Sequence, residues 1–323
     1  MNLPNLPGGV RRWVTLASAG FLLAALVAHG SQLLQLSLDG QGWCWLLLGV
    51  GLTLVSLLAN GLAWAALLRW LGHGPAWSAV VLLFLQSNLR KYLPGGIWHL
   101  VERWRALRAS EADGAPLLVP GGLSVGQALL AVLLDPLLAA IAALALVPLG
   151  GWQNGLALLC LLPLLALRPR WLNPWLERLE RQRLLQWRSQ GVVDGDTAAL
   201  PAGQAGITGV PWPPLLAELV FVLLRFGGFA CCVQAFDLGF NLPWGGWLAG
   251  FALAWTAGLV VPGAPGGLGV FEAVLLLRLS AAVPEAPLLA VAISYRLVSS
   301  LADLLAAATA RADAAALRGG ASQ

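Results

Sequence analysis

Charge is scarce in this chain. Only 11% of its 323 residues are charged, 59% are hydrophobic and the mean hydropathy is +0.77, against about 25% charged in ordinary soluble domains. That balance excludes a water-soluble globular class. Histidine is limited to 3 residues and cysteine to 4. The histidines are scattered. Cys44, Cys160, Cys231 and Cys232 lie in or beside apolar runs without zinc-type spacing, so they read as small hydrophobes rather than ligands or disulfides. No metal and no cofactor is expected. Polar stretches are also few: residues 168–211 are the one sizeable polar segment, too short for a soluble core of its own. The net charge of +4 and pI of 9.2 do not imply nucleic acid; they reflect where arginine sits relative to a bilayer.

What the chain has in abundance is apolar helix. A span needs roughly 20 apolar residues, and long apolar runs occur at 13–30, 43–68, 117–148, 152–167, 212–236, 244–261 and 286–309. Trp13, Trp43, Trp70, Trp152, Trp212 and Trp244 mark the ends of such runs, where an indole suits the membrane interface. Shorter runs at 76–89 and 268–281 fit half-helices or re-entrant segments better. The first apolar run lacks a clean small-residue cleavage site and reads as a span rather than a signal peptide.

Arginine sets the orientation. With the N-terminus cytoplasmic, 76–93 re-entrant and 268–281 crossing, all of the 19 basic residues except Arg225, Arg278 and Arg296 face one side. The opposite loops carry Asp39, Asp237 and Glu285 and no Lys or Arg. The positive-inside rule then selects about eight crossings plus a re-entrant segment, with both termini cytoplasmic. The expected fold is an all-α polytopic membrane protein, a single transmembrane domain over 1–323 in the bacterial cytoplasmic membrane. Its first half is 10–167 and its second half 212–312. Between them, 168–211 opens on an amphipathic stretch begun by Asn173-Pro174, which suits a cytoplasmic surface helix.

Two helix breaks recur about half a chain apart, at Pro94-Gly95-Gly96 and Pro265-Gly266-Gly267. Each is followed seven or eight residues on by a glutamate, Glu102 or Glu272. Interrupted segments at corresponding places in two halves point to a transporter's binding site and an inverted repeat. The helix N-terminus after a break offers free N–H groups to an anionic headgroup. Charges at membrane depth are the other signal. Arg225, Arg278 and Arg296 lie in or near apolar runs, with Asp135, Glu218, Glu272 and Asp303 as candidate acids. Glu218 with Arg225, and Arg296 with Asp303, are each two turns apart on one helix, about 10 Å. Contact within a helix would need a bridge, so pairing across helices is as plausible, and Arg296 is the expected partner of Glu272. Arg278, further along the short helix of Glu272, points elsewhere.

LRKYLPGGIWH with its basic continuation, VPGAPGGLGVFEA, and SYRLVSSLADLL are similar to signature segments of the lysylphosphatidylglycerol synthase transmembrane family, often called flippase-like integral membrane proteins. The likeness runs in order from residue 10 to 312, and PGGLG-x-x-E is its most specific part. The resemblance implies a membrane domain linked to moving aminoacylated phospholipid between leaflets. By position, Pro265, Gly266, Gly267, Gly269, Glu272 and Arg296 match the second motif and the later arginine, and Lys91, Pro94, Gly95 and Gly96 match the first. The chain ends soon after residue 312, so no soluble aminoacyl-transferase domain is expected and lysine transfer is not inherited.

Three functions compete. A lipid translocase or carrier would pass a charged headgroup through a polar groove, with Arg278 and Arg296 on phosphate and Glu272 on a cationic moiety or proton. A membrane-embedded enzyme on a lipid-linked substrate lacks a histidine–carboxylate cluster or metal-ligand motif here, so no enzyme is expected. A structural partner would merely pair its charges. The expected partner is a membrane phospholipid or lipid-linked substrate, and the Gly246–Gly250 GxxxG pattern also allows a homo-oligomer.

The topology is testable by itself. Single cysteines at Ser189 and Gln323, in a cysteine-free background, should resist an impermeant thiol reagent in intact cells and react after permeabilisation. Labelling of either in intact cells overturns the orientation.

Overall fold

The computed structural model describes residues 38–92, 97–109, 118–151, 153–174, 177–178, 182, 185, 209–261 and 265–320. The first apolar run, the glycines of the first break and most of the 168–211 connector lie outside the described residues. Among those described there is no strand. Four helices are long and apolar enough to cross a membrane: 40–70, 125–150, 212–235 and 285–313. With the composition, this is an all-helical integral membrane protein.

The helices are α1 (Gly40–Trp70), α2 (Trp77–Asn88), α3 (Trp98–Arg108), α4 (Val125–Leu146), α5 (Leu162–Ala166), α6 (Trp212–Ala235), α7 (Trp244–Val260), α8 (Val270–Leu279) and α9 (Glu285–Gly320). Local chemistry sets several boundaries. Asp39 caps α1 by accepting from Gly42 N–H at 2.6 Å, satisfying a donor that has no intrahelical partner. Ser124 and Gln127 form a capping box at the start of α4, and prolines occupy the first turn of α6, where a missing N–H is harmless.

The sequence runs meet different fates. Those at 43–68, 212–236 and 286–309 become α1, α6 and α9, while 244–261 becomes the 17-residue α7. The run 152–167 does not form one continuous α-helix. It begins as 3₁₀ helix at Gln153–Leu161 and passes into α5 at Leu162, with Pro163 at the junction. The short runs flanking the breaks become α2 and α8, of 12 and 10 residues, well below span length.

One order of elements occurs twice. A long helix (α1 or α6) is followed by a shorter one (α2 or α7), a 3₁₀ turn (Leu89–Tyr92 or Pro265–Gly267), a short helix (α3 or α8) and a long helix (α4 or α9). Packing is reciprocal. The first helices α1 and α6 lie against each other, α4 packs on α6 and α7, and α9 packs on α1 and α2.

Small residues permit the central contact. A Cβ at Gly42 would lie 2.9 Å from the Ala235 carbonyl oxygen, and one at Gly49 would lie 3.2 Å from that of Gly228. Further along, Asn60 donates to Glu218 at 3.1 Å. Ascending positions on α1 thus meet descending positions on α6, so the two helices run antiparallel. Close approach of backbones is a chief source of helix association where lipid removes the hydrophobic drive.

Two apolar cores flank this pair. One gathers Trp64, Phe84, Trp104 and the inner face of α4, the other Phe229, Phe251, Phe271 and Tyr295. Leu277 and Leu297 are among the large apolar side chains left exposed, as lipid-facing positions are. Gly250 faces inward, where an added Cβ would meet Leu279 at 2.9 Å, so that end of the GxxxG pattern serves packing within the chain.

A single methyl group probes the α1–α6 contact. A Cβ at Gly228 would lie 2.3 Å from Thr53 Oγ1, whereas Gly51 has nothing within 4 Å. Gly228→Ala should lower the melting temperature in detergent, at a cost of about 1–3 kcal/mol. Gly51→Ala should not, because alanine is the better helix former. Equal stability in the two variants would dismiss the close contact.

Candidate functional site

The second break is built by glycine and closed by one ion pair. Gly266, Gly267 and Gly269 have φ of 60°, 72° and 80°, a region that side chains other than glycine rarely adopt. Gly267 also touches α7: an added Cβ would lie 2.8 Å from Gly258 Cα. Helix α8 then starts beyond Gly269, and Glu272 reaches back to accept its N–H at 2.7 Å. The other Glu272 oxygen accepts from Arg296 Nε on α9, also at 2.7 Å. Arg296 Nη2 donates to the Gly267 carbonyl at 2.6 Å, and Nη1 donates to the Gly266 carbonyl. The guanidinium lies over Phe271, 5.0 Å from the ring centre.

Glu272 and Arg296 therefore meet as the sequence suggested, but each is engaged with the other and with the broken backbone. Orphaned carbonyls in an apolar setting cost several kcal/mol each, and Arg296 answers two of them. Arg278 is not brought to this pair. It lies in the last turn of α8, half-exposed.

The residues that lead into the first break are tied to the same helix. Asp303 is buried on α9 and accepts from Asn88 Nδ2 at 2.7 Å, Tyr92 Oη at 2.6 Å and Lys91 Nζ at 2.6 Å. Tyr92 neighbours the second break, since a Cβ at Gly266 would lie 3.1 Å from its ring. Arg225 completes the group from α6. It is buried and donates from Nε to Tyr295 Oη at 3.1 Å, while its buried Nη1 has no hydrogen-bond partner. Arg225 lies within electrostatic reach of Asp303, Tyr92 and Lys91. Two cations thus surround one carboxylate.

A third cluster sits across the chain's middle. Arg103 on α3 is buried, donates from Nε to Ser87 Oγ at 3.0 Å and pairs through Nη1 with Asp135 on α4 at 3.3 Å. Its guanidinium lies over Phe84, 3.6 Å from the ring centre. Glu218 joins Asp135 here and is held by Asn60. None of the pairings two turns apart on one helix forms; Glu218, Arg225, Arg296 and Asp303 all find partners on other elements.

Two sequence expectations are corrected. Arg103, counted among the cytoplasmic arginines, turns inward. Glu102, the counterpart of Glu272, instead forms a rim pair with Arg90 at 2.8 Å, with the arginine side chain 52% exposed. One residue is about 100° of helix rotation, so when Arg103 faces the core its neighbour faces the rim. Burial raises the Glu102 carboxyl above its ordinary value, opposed by Arg90, Arg103 and Arg311. Asn88, Asn60, Tyr295 and Ser87 were missed as site residues. Their only sequence signal was a polar group within or ending an apolar run. Pro94, Gly95 and Gly96 lie outside the described residues. Among the described residues, no group of three or more His, Cys, Asp or Glu is placed to hold a metal.

Residues 13–307 match a known family, the lysylphosphatidylglycerol synthase TM region. The chain belongs to this family. No match was found among curated proteins. The matched stretch takes in both breaks and all three buried clusters. Membership gives the chain a lipid-related membrane function.

The pair at the second break can be measured by a double-mutant cycle. Glu272→Gln and Arg296→Gln should each destabilise the protein by roughly 3 kcal/mol, the lower end for breaking a buried pair, because Arg296 is 25% exposed. The double variant should be little worse than either single one, since contacting residues are not additive. Additive losses would reject the coupling.

Proposed function

We propose that the chain is a lipid translocase or lipid-handling carrier, moving a lipid with a charged headgroup between leaflets through a polar intramembrane groove. The observation that carries this reading is the cluster of Lys91, Arg225 and Asp303. It holds one positive charge in excess, and Arg225 Nη1 is buried without a partner. An unmatched guanidinium at membrane depth is costly and marks a substrate path more often than a packing contact. A phosphate oxygen supplies both the charge and the acceptor that Nη1 lacks, and guanidinium geometry suits phosphate. The acyl chains of such a lipid stay in hydrocarbon while the headgroup passes between the halves.

The proposed topology has eight crossings, a re-entrant 76–93 segment and an inverted repeat. Its support is the element order that occurs twice, the reciprocal packing of α4 and α9, and the antiparallel contact of α1 with α6. If corresponding helices run in opposite directions, the two halves are related by an axis in the membrane plane, as in many carriers. The second break and the residues that lead into the first then lie near that axis, held by α9. For Glu272 and Arg296 a positioning role is better supported than direct contact with substrate, because their polar atoms are occupied.

Reconstituted protein should move a fluorescent phospholipid between leaflets in vesicles, read by quenching of the outer leaflet. Arg225→Gln should slow this by about tenfold or more, equivalent to ~1.4 kcal/mol. Exposed Arg105→Gln should leave the rate unchanged. Melting temperatures separate lost folding from lost transport. Wild-type rates in a stable Arg225→Gln protein, or no lipid movement by the wild type, would reject the reading.

A further inference from the structure

The cluster at Asp135 and Glu218 has the opposite imbalance. Both carboxyl groups are buried, at 6% and 1% exposure, and they lie within hydrogen-bonding reach of each other. Two ionised carboxylates offer only acceptors to one another, so a hydrogen bond between them requires a proton on one of the pair. Asp135 Oδ2 takes Arg103, but its Oδ1 is buried with no donor supplied by any described side chain or backbone group. Glu218 Oε2 takes Asn60.

The surrounding helices offer one cation against two acids. From α3 come Arg103 and, acting on it, Glu102 and His99. From α1 comes Asn60 and from α2 comes Ser87, both neutral. The neighbouring α7 carries no Asp, Glu, Lys, Arg or His at all. Like charges sharing a buried site cannot both ionise cheaply, and one carboxyl keeps its proton.

We infer that Asp135 and Glu218 form a proton-binding site, holding one exchangeable proton between them at the contact of α4 with α6. The geometry also states how the proton would leave. The two carboxyls belong to different halves of the repeated element order, so separation of α4 from α6 parts them. Once apart and in contact with water, both ionise and one proton passes to solvent. Closing the contact takes one proton back from solvent and restores the shared hydrogen bond. Atoms and charge balance, because the acid–carboxylate pair becomes two carboxylates and a hydrated proton. Use of this cycle in lipid movement rests on the translocase reading, but the proton site itself does not. Pro136 follows Asp135 directly and removes one helix hydrogen bond from α4, at the place where the helix would have to yield.

Infrared spectroscopy of the purified full-length protein in lipid tests the site without reference to transport. At neutral pH the wild type should show the C=O stretch of a protonated carboxylic acid, shifted in heavy water. Glu218→Gln keeps a donor for Asp135 at nearly the same size and should lose that band. Asp135→Asn serves as a second variant and should lose it as well. A wild type without the band, or a band that persists in both variants, overturns the proposal. A wild type that shows the band, loses it in both variants and moves no lipid would keep the proton site and reject the translocase. Lipid movement by a protein without the band would do the reverse. If both hold, lipid movement should vary with pH in the wild type and lose that dependence in Glu218→Gln.

Discussion

Arg296 and Asp303 stand two turns apart on α9; the first closes the second helix break, and the second gathers the residues that lead into the first. Arg296 holds the carbonyls of Gly266 and Gly267 together with Glu272. Asp303 holds Asn88, Lys91 and Tyr92. A broken helix beside hydrocarbon survives only where its freed backbone groups find protein partners, and at the second break Arg296 of α9 answers two carbonyls. Tyr295, one residue before Arg296, carries the same helix into the second apolar core and orients Arg225 from α6.

The interior is divided by charge as well as by space. One cluster has two cations around a carboxylate, and another has two carboxyls around a cation. Lys91 and Arg103 act on one another across the gap, so the two imbalances belong to one electrostatic system. An excess of positive charge suits an anion and an excess of acid suits a proton. Neither imbalance is explained by packing alone, because a pair that served only stability would be expected to balance. The pair at the second break does balance, and its atoms are occupied.

The mechanical counterpart is the α1–α6 seam. Gly42, Gly49 and Gly228 bring two long helices into backbone contact, and α4 and α9 cross from one half to lie on the other. Each of the two apolar cores draws residues from both halves. The break at Pro265–Gly267 rests on Gly258, and Tyr92 rests on Gly266.

Much of this was legible in the order of residues. Long apolar runs give α1, α4, α6 and α9, because a helix that must satisfy its own backbone in lipid declares itself by length and hydropathy. The Pro-Gly-Gly segments announce the breaks, since proline and paired glycines disfavour helix by local sterics. The Glu272–Arg296 pair could be anticipated from the cost of leaving either charge alone in an apolar run. The 3₁₀ start of the 152–167 run was not legible, because hydropathy does not distinguish α from 3₁₀ helix. What only the tertiary structure decided is which charge meets which. Glu218 and Arg225 share a helix and stay apart, Arg103 rather than Glu102 turns inward, and Asn88 and Asn60 become ligands of acids far along the chain. Those choices depend on the rotation of each helix about its axis, which is set by packing between elements. Electrostatic partners in a membrane interior are chosen across helices, and the linear sequence records the charges without their distances.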